Sequence, residues 1–538
     1  MSVLRGRLLF ASLALLALTT PAFAAEGKPL GEKLGLAWSV PFLGLLLSIA
    51  LLPLLAPGFW RDQFGKVAFF WAALFLVPFA VAHGVGTAGE ELLDVTVSGF
   101  VPLVILLWAV YTVAGGLRLR GRLRGTPMMN TCLLVTGTIL ASWIGTAAAA
   151  MVLIRPLIRA NAWRKKKTHL IVFFIFLVAN IGGALTPLGS RPLLLGYERG
   201  VPFFWTAEAM LFPMLVCVGV LLALFFLIDH ALLRREVTQE APDDGSNEPI
   251  GLEGSLNLIF LVGIVAAVLY SGLAAKSETY WDQGQFDRAR GRITAAETEL
   301  ATISLRLRGA AVEDRVAMVE EFLATRSTVT MLRAAAAQDA VKGWRMTEDV
   351  VWPLINVVRD GVLVMMGVLS LLLTSRGPRR KNGFTWFPVI EMGKLFAAIF
   401  VTLIPVIAVL KVGTRGELGP LAAAATGLEG QPVNAMYFWL TGALSSFLDT
   451  APTHLAFIDM AGGDPSVLAT DFPRTLLGIS AGAVFMSALT YIGSAHNLMV
   501  RSIAEEAGVT MPSFFGYALK WSLPILVPIF CIVSLIWS

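Results

Sequence analysis

The stretch Ala141-Ser142-Trp143-Ile144-Gly145-Thr146-Ala147-Ala148-Ala149 breaks an otherwise apolar segment with small and polar residues, and Ser445-Ser446-Phe447-Leu448-Asp449-Thr450-Ala451-Pro452-Thr453 does the same in the second half of the chain. Downstream of each lies another break, Gly183-Ala184-Leu185-Thr186-Pro187-Leu188-Gly189-Ser190 and Ser487-Ala488-Leu489-Thr490-Tyr491-Ile492-Gly493-Ser494. Both pairs stand 304 positions apart, 141 to 445 and 183 to 487. One offset shared by two separate motifs marks a duplicated unit. Paired halves with Gly- and Pro-interrupted apolar segments at matching positions are the pattern of a carrier whose discontinuous helices meet near mid-membrane. Taken singly, each Gly, Ser or Thr reads as close helix packing; taken as a set, the motifs favour the carrier.

Composition agrees. The 538 residues are 56% hydrophobic and only 15% charged, with a mean hydropathy of +0.73. That is more apolar material than a soluble core needs, so the expected fold class is an all-α polytopic membrane protein. The net charge of +5 does not imply nucleic acid, because the basic residues sit in short loops beside apolar runs, where they report topology. Cys132, Cys217 and Cys531 have no metal-ligand spacing and read as packing residues.

Residues 1–24 read as a signal peptide, with Arg5 and Arg7, an apolar run and an Ala-x-Ala site ending at Ala24. Residues 25–56 hold an extra N-terminal span. A first transport repeat covers 57–230, with Arg118, Arg120, Arg122 and Arg124 before the apolar stretch 129–154 and Arg155, Arg159, Arg164 and Lys165 after it. Basic loops on both sides make 129–154 a re-entrant hairpin from the cytoplasmic side, its tip near Gly145 and Thr146. Residues 231–274 form a linker and connecting span, and the charged stretch 275–350 reads as an extramembrane helical insertion able to recruit a partner. The second repeat, 351–538, carries hairpin 434–458, whose flanks include Glu429, Asp459, Asp464 and Asp471 and therefore place its roots outside. The two halves are then inverted repeats, with ten full spans, two opposed hairpins and two discontinuous helices. Both mature termini fall on the periplasmic side of a cell inner membrane.

Asp449 is the sharpest chemical signal, because a carboxylate at lipid depth is costly and marks a cavity, an ion or a partner. Thr450, Pro452 and Thr453 beside it supply the hard oxygens that a small cation needs. A group able to bind a cation and a proton in alternation couples the two. Gly145 holds the matched place in the first half and offers no charge; the amides of that tip suit an anion. Arg191 has two readings, a carboxylate-binding fork and a snorkelling anchor. His496 reads equally as a proton carrier and as a loop residue at the cytoplasmic end. Arg359 and Asp360 form a structural pair. With histidines only at 83, 169, 230, 454 and 496, a multi-histidine catalytic centre is not expected and the chain does not read as an enzyme. No nucleotide-binding signature is present.

The segment 446–453 resembles the hairpin motif of the ion transporter superfamily, which includes bacterial sodium/proton antiporters, the arsenite-pump membrane subunit and citrate or dicarboxylate carriers. Residues 180–189 resemble the antiporter segment after the first hairpin, and Pro53-Leu54-Leu55-Ala56-Pro57 with Phe59-Trp60 resembles a citrate-transporter or sodium/proton-antiporter subgroup. The resemblance implies cation-site candidates Ser142, Thr146, Asn180 and Thr186 in one half and Asp449, Thr450, Thr453, Ser494 and Asn497 in the other. It also implies a homodimer built through a scaffold. The chain lacks the Asp-Asn tips of the antiporters and the Ser-Asn-Thr tips of the carboxylate carriers. Cation/proton antiport, with sodium as the coupling ion and no other cofactor, is the leading expectation. Sodium- or proton-coupled uptake of citrate or another anion is the alternative.

Overall fold

The computed structural model describes residues 30–120, 124–236, 251–274, 342–347, 350–411, 432–461 and 465–535, with scattered positions between. The signal peptide, most of the acidic linker and nearly all of the 275–350 insertion lie outside the described residues.

Among those described, the chain is helical apart from two antiparallel ribbons, Arg118–Arg120 with Gly251–Glu253 and Gly343–Arg345 with Val351–Pro353. Nine helices are long and apolar enough to cross a membrane. In chain order the principal helices are α1 (Leu36–Leu55), α2 (Pro57–His83), α3 (Val85–Gly116), α4 (Pro127–Ile144), α5 (Thr146–Ala160), α6 (Thr168–Ala184), α7 (Arg191–Glu198), α8 (Trp205–Arg235), α9 (Leu256–Ala274), α10 (Leu354–Leu373), α11 (Phe387–Leu410), α12 (Asn434–Ser445), α13 (Thr450–Met460), α14 (Pro473–Leu489), α15 (Ala495–Glu506) and α16 (Phe514–Ser534). The structure thus defines a multi-pass membrane protein.

Two helices sit at the centre. In α6 every residue from His169 to Leu177 is buried, and in α14 every residue from Thr475 to Met486 is buried. A helix that is apolar all round belongs inside the protein. The peripheral helices behave oppositely: α2 exposes Phe69, Phe70 and Val81, and α8 exposes Phe212, Leu215 and Leu227, surface that suits hydrocarbon and not water. The two central helices are the short apolar ones and neither stays regular to its end. Each finishes in a tight turn, Ile181–Ala184 and Ser487–Leu489, followed by an irregular stretch and a new helix, α7 or α15.

The segment after the second break departs from the sequence expectation. Residues 495–506 were expected as a cytoplasmic loop carrying His496 and Arg501, yet they form α15, with Ala495, Asn497 to Val500 and Ser502 to Ala504 buried. Ser494 and its neighbours end the break and allow the helix to restart. The apolar periodicity of the short α15 is too brief to stand out beside the spans.

Both expected tips are breaks. Gly145 separates α4 from α5 at φ +90° and ψ 144°, a conformation essentially restricted to glycine, and the two helices pack on each other. At the matched place, Asp449 with φ −59° joins α12 to α13 through the turn residues 446–448.

Candidate functional site

The same hydrogen bonds recur at the same offset. Ser142 Oγ donates to the Gly182 carbonyl at 2.5 Å, and Ser446 Oγ donates to the Met486 carbonyl at 2.9 Å. Thr186 Oγ donates to the Ser142 carbonyl, and Thr490 Oγ to the Ser446 carbonyl. Each donor and each acceptor in the second half stands 304 positions beyond its counterpart. These braces tie each tip to its broken helix. They satisfy carbonyls that the irregular backbone would otherwise leave unpaired in an apolar setting. The Leu185 and Leu489 carbonyls, again matched, are taken by hydroxyls of the following helices, Thr206 at 3.0 Å and Ser522 at 2.6 Å.

The breaks of the two halves meet. Asn180 Nδ2 donates to Asn497 Oδ1 at 2.8 Å and to the Ile175 carbonyl at 2.7 Å, while Ser487 Oγ donates to Asn180 Oδ1 at 2.7 Å. Asn497 Nδ2 donates in turn to the Ser487 carbonyl at 3.0 Å. Both donors of Asn180 are thereby committed.

Beside this knot lies a cavity of about 70 Å³, room for a few waters or a small ion. Thr146, Asn180, Arg191, Asp449, Thr450, Ser487, Ser494 and His496 contribute its polar lining. Leu103, Leu106 and Leu107 of α3 form an apolar wall. Arg191 Nη1 stands 3.1 Å from Asp449 Oδ2, with side-chain exposures of 26% and 6%. This pair joins the start of α7 to the start of α13. Farther along the same helix contact, Arg199 Nη1 meets Asp459 Oδ1 at 2.9 Å. Arg191 is thus paired with a carboxylate at the edge of the cavity.

His496 likewise faces the cavity and not a loop. Its Nε2 contacts the Ala179 carbonyl, which can only accept, so that nitrogen carries a proton. Ser494 Oγ lies 2.8 Å from Nδ1. The ring is thereby held between the Ala179 carbonyl and the Ser494 hydroxyl.

Of the nine cation-site candidates, Thr146, Asn180, Asp449, Thr450 and Ser494 line the cavity. Ser142, Thr186, Thr453 and Asn497 stand behind it as braces, Thr453 Oγ donating to the Asp449 carbonyl at 2.9 Å. Ser190, set beside Asn180 and Thr186 by the sequence, is on the lining, as is Ser487, which sequence reasoning passed over. A hydroxyl opening the second break was the available signal for Ser487. Arg359 Nη2 pairs with Asp360 Oδ1 at 2.9 Å, away from the cavity lining. No cluster of His, Cys, Asp and Glu able to hold a metal occurs among the described residues.

A bundle of apolar helices enclosing a charged, hydroxyl-lined cavity between two broken helices defines a membrane transport protein. The family profile described as "Putative citrate transport" matches residues 31–334 and 310–538, and the chain belongs to that family. No curated protein matches the chain. Membership in a transport family sets it apart from enzymes. It also lends more support to anion uptake than to the cation/proton antiport that the sequence put first.

Proposed function

We propose that the chain is a secondary transporter of a di- or tricarboxylate such as citrate, coupled to protons or sodium. The observation that carries this reading is the Arg191–Asp449 contact at 3.1 Å within the central cavity. A guanidinium matches a carboxylate in planar, two-bond geometry, and Asp449 competes with the cargo for that fork. A proton or sodium ion on Asp449 cancels its charge and releases Arg191 to the cargo. Cargo binding and cation binding then favour each other, which is thermodynamic coupling. Thr450, Ser494 and Ser487 offer oxygens for the cation, and Thr146 one for the cargo.

In this reading α4 with α5 and α12 with α13 are opposed re-entrant hairpins, and 57–230 and 351–538 are inverted repeats that alternate access to the cavity. The hydrogen bonds repeated at the 304 offset support the duplication. Loop charge supports the inversion and an inner-membrane location with periplasmic termini. A homodimer is the assembly expected, with 275–350 as an insertion outside the membrane.

Proteoliposomes supplied with radiolabelled citrate under a proton or sodium gradient, and carrying an internal pH dye, test this. Gradient-dependent uptake is expected in the wild type and is lost in Arg191→Gln. Asp449→Asn is expected to keep citrate binding while its uptake ceases to follow the gradient. Cation-driven pH changes without carboxylate uptake would reverse the choice in favour of antiport, for which the hydroxyl ring around Asp449 is the supporting observation.

A further inference from the structure

A second cavity, of about 460 Å³, is lined by Arg155, Arg159, Lys381, Asn382, Thr385 and Glu506 among others. It lies at the far ends of two helices that begin at the central site. Thr146 opens α5 and Ala495 opens α15, and both residues line the first cavity. Arg155 and Arg159 near the end of α5, with Glu506 at the end of α15, line the second. The two helices pack against each other, and at 1.5 Å per residue Thr146 and Arg155 stand about 14 Å apart along α5.

The second cavity is lined by three cationic side chains, Arg155, Arg159 and Lys381, of which Arg155 also bonds Tyr111 and Arg159 the Leu119 carbonyl. Arg155 is 6% exposed, its guanidinium carbon lies 4.9 Å from the Tyr111 ring centroid, and its Nη1 is buried without a hydrogen-bond partner. Arg159 Nε is in the same condition, although its Nη2 donates to the Leu119 carbonyl at 2.8 Å. The opposing charges are two: Glu506 accepts from Thr385 Oγ at 2.7 Å, and Glu253 Oε1 lies 3.6 Å from Lys381 Nζ. Arg155 and Arg159 are four positions apart, on one helix face, and both line this cavity.

We propose that this cavity is a second anion station, binding a free di- or tricarboxylate on its path to or from Arg191. The inference rests on the carboxylate reading above. A buried guanidinium nitrogen without a partner is costly, and a carboxylate oxygen satisfies it with a charge-assisted bond. The helix dipoles grade the path. Both α5 and α15 turn their positive N-terminal ends toward the central cavity and their negative C-terminal ends toward the basic one. The station therefore holds its anion more weakly than Arg191 does, as a staging site requires. A phospholipid phosphate offers the same oxyanion chemistry, so the test separates the two sources.

The purified full chain is placed in nanodiscs of zwitterionic lipid and titrated with radiolabelled citrate by equilibrium dialysis. The wild type is expected to bind about two citrates per chain, one at each cationic site. Arg155→Gln and Arg159→Gln each weaken the looser site by about tenfold and leave the tighter one unchanged; the intact tight site also reports a folded protein. Should Arg155→Gln lose both, Arg159→Gln and Lys381→Gln decide the matter. Arg191→Gln removes the tighter site only, so failure of that arm overturns the transport reading while the station stands. A single citrate per chain, removed by Arg191→Gln and untouched by Arg155→Gln and Arg159→Gln, overturns the station. Loss of the looser site in nanodiscs of anionic phospholipid assigns the cavity to a lipid headgroup and overturns the free-carboxylate proposal.

Discussion

The two hairpins carry the same braces but are rooted differently. At the root of the first, Asn130 Nδ2 donates to Asp229 Oδ2 at 2.9 Å and to Asn161 Oδ1 at 3.0 Å. Asp229 also meets Arg164 at 2.5 Å and His169 Nε2 at 2.8 Å, with Arg164 and Asp229 side chains at 0% exposure. Both arms of the hairpin and the start of α6 are thereby tied to α8. Asn434 stands 304 positions beyond Asn130 and accepts the Thr475 hydroxyl at 2.8 Å. The tip braces match between the two halves, where irregular backbone must be satisfied, while the roots differ. The first root is anchored by fully buried charge, whereas at the second the matched Asn434 makes a neutral bond and the nearby Arg199–Asp459 pair is partly exposed.

The most severe way to break this contrast is Asp229→Ala, which leaves the buried Arg164 with the more distant Glu236, 3.6 Å away. A stability loss of about 3–5 kcal/mol is expected, read from thermal unfolding in detergent. Asn434→Ala at the matched root is expected to cost about 1 kcal/mol; equal losses would end the distinction between anchored and neutral roots. Arg191→Gln is expected to lower citrate uptake by about a hundredfold without a comparable shift in unfolding, since its charge serves the cavity more than the fold. Gly145→Ala forces a side chain into φ +90° and toward the Leu188 carbonyl, with an expected cost of about 1–3 kcal/mol. The smallest and most exact comparison is Thr186→Val against Thr490→Val. Each is expected to cost about 1 kcal/mol, and near-equal values sharpen the claim that the braces are equivalent.

What the sequence made legible was local and repeated. The 304 offset located both tips, both breaks and the hydroxyls Ser142, Thr186, Ser446 and Thr490, because unsatisfied backbone inside a bilayer demands hydroxyls and glycines at fixed places. The Arg191–Asp449 contact was not legible. Its partners are 258 positions apart and depend on how one half docks on the other, for which no local periodicity exists. The same holds for Ser487 and Asn180. His496 was misplaced because α15 is short, and a His beside Arg501 looks like loop chemistry until the helix around it is seen to be buried. Ser142, Thr186 and Thr453 donate their hydroxyl protons to carbonyls and Asn497 bonds Asn180, and these four stand outside the cavity lining.

The knot of Asn180, Ser487 and Asn497 has a mechanical consequence. Separating the two broken helices at their centre would strip several amide and hydroxyl groups of their partners in a medium that offers no water, at about 1–3 kcal/mol for each. The hydrogen bonds therefore tie the two broken helices to each other at their centre. Motion is cheapest where the surfaces facing each other are hydrocarbon, and along the cavity that is the seam between this centre and Leu103, Leu106 and Leu107 of α3. Any displacement of the polar centre would therefore cost least along this leucine wall.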